Sequence, residues 1–230
     1  MHPAYSVIVF TTLTGAGYGL LFFTSLAHGL GFAAMNRWGD GVTLTVALAL
    51  ISAGLIASTR HLGRPERALG AFSQWRTSWL SREGVAAVAT YVPAGLLWLA
   101  VLLDIDGSWT RVAALLAAAG AVATVYCTGM IYASLRTIRQ WHQPTVPFVY
   151  LALAAATGAL LWVFALALFG EPSLPAIALS ILAVALAAFL KLAYWRAIDG
   201  DESHYTIETA TGLGDIGRVR PRDPPHTRPN

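Results

Sequence analysis

The stretch from Arg60 to Glu83, RHLGRPERALGAFSQWRTSWLSRE, packs five arginines, two glutamates, a histidine, two tryptophans and a phenylalanine into 24 residues. That concentration invites a chemical reading. His61 falls at the predicted end of one apolar stretch and Glu83 at the predicted start of the next. If those two helices are antiparallel neighbours, both side chains face the same membrane interface. A neutral imidazole and a carboxylate there are suited to hydrogen-bond a quinone and to move protons. Quinone chemistry needs both, because two electrons travel with two protons. Arg64 and Arg67 would tune or position such a site, and Trp75 and Trp79 would flank the ring or seal the pocket.

Each residue also has a plainer role. His61 can bond the free carbonyls at a helix end, and Glu83 near a helix start is favoured by the helix dipole. Arg60, Arg64 and Arg67 can bind lipid phosphates, while Trp75 and Trp79 can anchor at the interface. These roles account for the residues singly and for their clustering poorly.

The elements that must position the loop are membrane helices. Of 230 residues, 56% are hydrophobic and only 12% charged, with a mean hydropathy of +0.59; soluble domains carry about 25% charged residues. Six apolar stretches are predicted, at Ala4–Ala33, Val42–Ser58, Gly84–Leu103, Val112–Leu135, Phe148–Phe169 and Leu174–Trp195. Each approaches the roughly 20 residues that a bilayer core requires. The breaks between them are NRWGDG, the Arg-rich loop, DIDGSW, RTIRQWHQP and GEPSLP. The fold class is therefore an all-α bundle of about six transmembrane helices. Residues 1–196 form the membrane domain, and 197–230 an extended cytoplasmic tail that contacts a partner subunit. MHPAYSVIVF lacks the basic region and cleavage site of a signal peptide and reads as an uncleaved first helix.

Arg60, Arg64, Arg67, Arg76, Arg82, Arg136, Arg139, Lys191 and Arg196 fall on one side, against Arg37 and Arg111 on the other. The positive-inside rule puts the loop and both termini in the cytoplasm. Gly15 and Gly19 form a GxxxG packing signal. Trp38, Trp98, Trp109, Trp141 and Trp195 sit near helix ends as an ordinary aromatic belt.

Several functions are disfavoured. The lone Cys127 offers neither a disulfide framework nor a CxxC metal site, so an iron–sulfur cluster must belong to another subunit. Only His28 lies within a predicted span, which disfavours a bis-histidine haem. The net charge of +3 is too small to indicate nucleic-acid binding. Gly212, Gly214 and Gly217 spell GxGxxG without the strand that a dinucleotide fingerprint needs. A small-molecule transporter is the alternative of a different class. It would show inverted repeats and broken helices, and only Pro93 interrupts a span.

HLGRPERA followed by TSWLSREG resembles the membrane-anchor subunits of the dimethyl sulfoxide reductase family. HPAYSVIVFTTLTGAGYG and TATGLGDIGRVRPRDPPHT resemble the branch that includes the anchor of cytoplasmic sulfite dehydrogenases. The resemblance implies a helical anchor in the bacterial inner (cytoplasmic) membrane. It would serve an iron–sulfur subunit and, through it, a molybdopterin catalytic subunit. Electrons would be exchanged with quinone (ubiquinone or menaquinone), with no haem or cluster in this chain. By the same resemblance His61 and Glu83 are the quinone-binding residues, and Gly63, Arg67, Phe72 and Ser73 are weaker matches beside them. Such anchors are commonly described with eight helices, against six spans here. The implied activity is quinone reduction during sulfite oxidation, or alternatively quinol oxidation for a terminal reductase.

Overall fold

The computed structural model describes residues 5–32, 35–59, 70, 72–200 and 207–218. The described residues are helical with no strand. The long helices are α1 (Tyr5–Leu30), α2 (Arg37–Thr59), α3 (Trp79–Leu103), α4 (Ser108–Ala133), α5 (Val146–Phe169) and α6 (Leu174–Asp199), followed by a short α7 (Ile207–Thr211). A 3-10 turn, Phe72–Gln74, precedes α3. All six long helices are long and apolar enough to cross a membrane.

The hub is α1, which packs against α2, α4 and α5, while α6 lies outside, chiefly against α5. Small residues make that hub possible, because helices in lipid associate by close packing rather than by hydrophobic force. A methyl group added to Gly19 would lie 2.9 Å from the Ala154 carbonyl carbon and 3.0 Å from Gly158 Cα. On the α2 side, one added to Gly17 would lie 2.8 Å from Ile51 Cγ1. Gly15, the other half of the GxxxG, has nothing within 4 Å of such a methyl. The motif therefore divides: Gly19 packs, and Gly15 borders open space.

α2 and α3 are antiparallel neighbours, although their main packing partners are α1 and α4 respectively. Three polar pairs run along their seam. Arg37 Nη1 lies 3.5 Å from Asp104 Oδ2, the Trp98 indole N–H donates to Thr45 Oγ1 at 2.8 Å, and Ser52 Oγ and Tyr91 Oη are 2.6 Å apart. Trp98 thus does more than sit in an aromatic belt. Trp98→Phe is expected to destabilise the purified protein by about 0.6 kcal/mol, the average for an interhelical hydrogen bond in a membrane protein. A denaturation midpoint equal to that of the unmodified protein would dismiss the bond's role.

Helix bounds differ from the sequence reading mainly at two starts. NRWGDG reads as a break, yet α2 begins at Arg37. Asn36 Oδ1 accepts the Gly39 N–H at 2.8 Å and so caps the helix. Gly39 and Gly41 lie inside it because Phe169 and Leu102 leave little or no room for side chains there. At the second start, α3 begins at Trp79 rather than Gly84, because Ser78 is its N-cap. In the segment read as an extended tail, α6 continues to Asp199 and α7 follows. Gly212 (φ 68°) ends α7, with the Leu213 N–H bonded to the Glu208 carbonyl at 3.2 Å. Here the first glycine of the GxGxxG is a helix terminator.

Candidate functional site

The site is built at the start of α3. Ser78 is extended (φ −116°, ψ 126°) and accepts the Ser81 N–H at 3.4 Å, which fixes where the helix begins. The preceding turn folds back onto the helix, and a methyl on Gly84 would lie 3.3 Å from the Phe72 ring. Arg82 holds the turn in place. Its guanidinium donates to the Trp75 carbonyl at 2.9 Å and the Arg76 carbonyl at 2.7 Å, and lies 4.2 Å from the Trp79 ring centroid.

Glu83 is four residues beyond Trp79, on the same face of α3. It is only 6% exposed. The Thr128 hydroxyl of α4 donates to Glu83 Oε1. Among the described residues no cation pairs with this carboxyl; the ion pair is Arg37–Asp104, at the other end of the bundle. Buried ionisable groups within a span are costly and mark a functional site by default. Thr128 Oγ1 also lies 3.1 Å from the Thr124 carbonyl, and Thr124 and Thr90 hydroxyls are 3.4 Å apart. A row of hydroxyls therefore extends from Glu83 into the α3/α4 interface. Tyr18, Tyr132 and Tyr150 all lie within electrostatic range of the carboxyl.

The predicted site residues separate. Glu83, Trp79 and Phe72 gather around the first turns of α3, where the Trp79 and Tyr126 rings form a T-shaped pair with centroids 6.1 Å apart. Trp75 is exposed beside Arg76, at 5.6 Å. Ser73 is exposed too, and its hydroxyl bonds the Gly70 carbonyl at 2.7 Å. Ser73 stabilises the turn, and Trp75 lends its carbonyl to Arg82. His61, Gly63, Arg64 and Arg67 lie outside the described residues. Sequence reasoning missed Thr128 and the role of Arg82. The i, i+4 spacing of Thr124 and Thr128 inside an apolar span was the available signal.

This arrangement can hold and exchange a proton at one end of a helical bundle, shielded from water. Fold and site together define a multi-pass membrane protein with a buried carboxyl near one interface. Residues 1–211 match the family model described as DMSO reductase anchor subunit (DmsC), and the protein belongs to that family. It is 36% identical to the C-subunit of the sulfite dehydrogenase of Allochromatium vinosum over 235 aligned positions, covering 93% of this sequence and 70% of that protein. It is 26% identical to the C-chain of the anaerobic dimethyl sulfoxide reductase of Haemophilus influenzae, covering 73% of this sequence and 61% of that one. With the YnfH chain of the anaerobic dimethyl sulfoxide reductase of Escherichia coli the identity is 25%, covering 68% and 55%. No solved structure matches this sequence.

Proposed function

We propose that this protein is the membrane anchor and quinone-binding subunit of a molybdenum and iron–sulfur oxidoreductase, reducing quinone with electrons taken from sulfite. The observation that carries the reading is Glu83, a buried carboxyl bonded to Thr128 at the interfacial end of α3. The iron–sulfur subunit docks over the Arg-rich loop, whose positive charge complements an acidic partner and favours the arrival of electrons. Each quinone takes two electrons from that subunit and two protons from the site. Glu83 serves the proton path, and His61 bonds a quinone carbonyl. The distribution of Lys and Arg favours a cytoplasmic loop in the inner membrane.

Sulfite is favoured because the relative that is 36% identical over 93% of this sequence belongs to a sulfite dehydrogenase. The family description and the other two relatives favour the second reading, quinol oxidation for a reductase of dimethyl sulfoxide type.

The test uses the intact complex in membranes. His61→Ala and Glu83→Gln are each expected to lower quinone-coupled turnover about 100-fold, the scale of a lost acid–base group. Sulfite oxidation with a water-soluble acceptor reports assembly of the partner subunits. Undiminished quinone turnover and quinone-analogue binding in both variants would refute the assignment.

A further inference from the structure

Beyond Thr128, on the side of α4 away from α3, lies a cleft among α1, α4, α5 and α6. It has two adjoining compartments of about 350 and 240 Å³, which share Thr11, Val149, Tyr150 and Lys191. The larger compartment falls within the roughly 300–1,000 Å³ of small-molecule sites. Its walls are largely apolar, with a few hydroxyls and one cation. Thr12, Leu153 and Thr157 on its rim are exposed on the outer surface of the bundle, so it opens sideways toward the hydrocarbon.

Two features go beyond a packing gap. Thr128 lines the cleft and also donates to Glu83, so a single side chain separates the cleft from the buried carboxyl. Lys191 borders both compartments from within an apolar helix. Its ammonium lies 4.7 Å from the Tyr194 ring centroid and 5.3 Å from that of Trp195, and no ion pair with a carboxylate holds it among the described residues. A cation near the end of a span, held against aromatic rings and with no carboxylate partner among the described residues, suits a ligand that brings an acceptor oxygen. Tyr150, which lines both compartments, stacks on Tyr132 with centroids 5.4 Å apart, giving the cleft an aromatic wall.

We propose that this cleft seats the quinone ring, which enters from the lipid between α1 and α5. Lys191 donates to one of its carbonyl oxygens, and the Thr128–Glu83 pair forms its proton route. The proposal rests on the quinone reading above and adds to it a seat for the ring on the cleft side of Thr128, with Lys191 as a contact besides His61. Reduction adds two electrons from the iron–sulfur subunit and one proton to each carbonyl oxygen. The isoprenoid tail leaves through the Leu153 and Thr157 rim.

The experiment uses the purified complex in vesicles of phosphatidylethanolamine and phosphatidylglycerol, with an azidoquinone photolabel. Label that excess quinone prevents is expected on residues 11–15 or 149–153. Lys191→Met is expected to raise the KM for quinone about tenfold per assembled complex, as for one lost charge-assisted hydrogen bond. Gly15→Leu adds bulk at the cleft wall where a methyl meets nothing, and is expected to raise the KM further. Label confined to residues 72–79, with unchanged KM in both variants, would overturn the cleft and leave the quinone reading standing. Loss of co-purifying phosphatidylglycerol from Lys191→Met at unchanged KM would make it a lipid seat and overturn the proposal. Normal quinone turnover in His61→Ala and Glu83→Gln would defeat the quinone reading itself.

Discussion

Gly158→Leu is expected to leave almost no folded protein in the membrane. A side chain at residue 158 would meet the Gly19 carbonyl carbon, Cα and oxygen, all of them backbone. Overpacking costs about 1–3 kcal/mol when neighbouring side chains can adjust, but backbone atoms cannot rotate aside. The two helices would have to part, and α1 is also the element against which α2 and α4 pack. The damage would therefore spread beyond one interface. Gly95→Leu is the matched control, since a methyl there meets nothing within 4 Å. Yield and thermal midpoint of the detergent-solubilised protein provide the measurement. If Gly158→Leu equals Gly95→Leu in both, α1 and α5 do not cross at these glycines.

The six spans were legible because a membrane helix is signalled by its own composition over about 20 residues. What failed at Gly39 and Gly41 was the meaning of glycine. A glycine that ends a helix and one that admits a neighbouring helix look alike until Phe169 and Leu102 are in place. The same limit governed Gly15 and Gly19, a single motif in the sequence with two separate surroundings in space.

The site was legible in part for a similar reason. Glu83 stands out because acidic residues are rare in and beside apolar segments. Its partner Thr128 lies 45 positions away, and Lys191 lies beyond two further helices. Their relevance depends on α1 packing against α4 and α5, pairings between elements distant in the sequence. Local periodicity does not encode that order. Loop composition, which did stand out, does not reveal how the turn is organised: Ser73 and Trp75 are exposed, and the polar contact that organises the turn comes from Arg82.

Thr128→Val separates holding the carboxyl from supplying the proton. Valine keeps the shape of threonine and removes the hydroxyl, so Glu83 loses the donor that orients it. A buried polar group left without its partner costs about 1–3 kcal/mol, which a carboxyl avoids by turning away. Quinone-coupled turnover is then expected to fall about tenfold, since about 1.4 kcal/mol corresponds to a factor of ten. Thr128→Ser retains the hydroxyl and is expected to recover most of the rate. Glu83→Gln keeps a side chain that Thr128 can still bond but cannot release a proton, so its loss is expected to be larger. Combining Glu83→Gln with Thr128→Val should then cost little beyond Glu83→Gln alone, because Thr128 acts through the carboxyl. Independent residues would instead add to within about 0.5 kcal/mol. Additivity in that cycle, or a Thr128→Ser variant as slow as Thr128→Val, would remove Thr128 from the proton route and leave it a packing residue between α3 and α4.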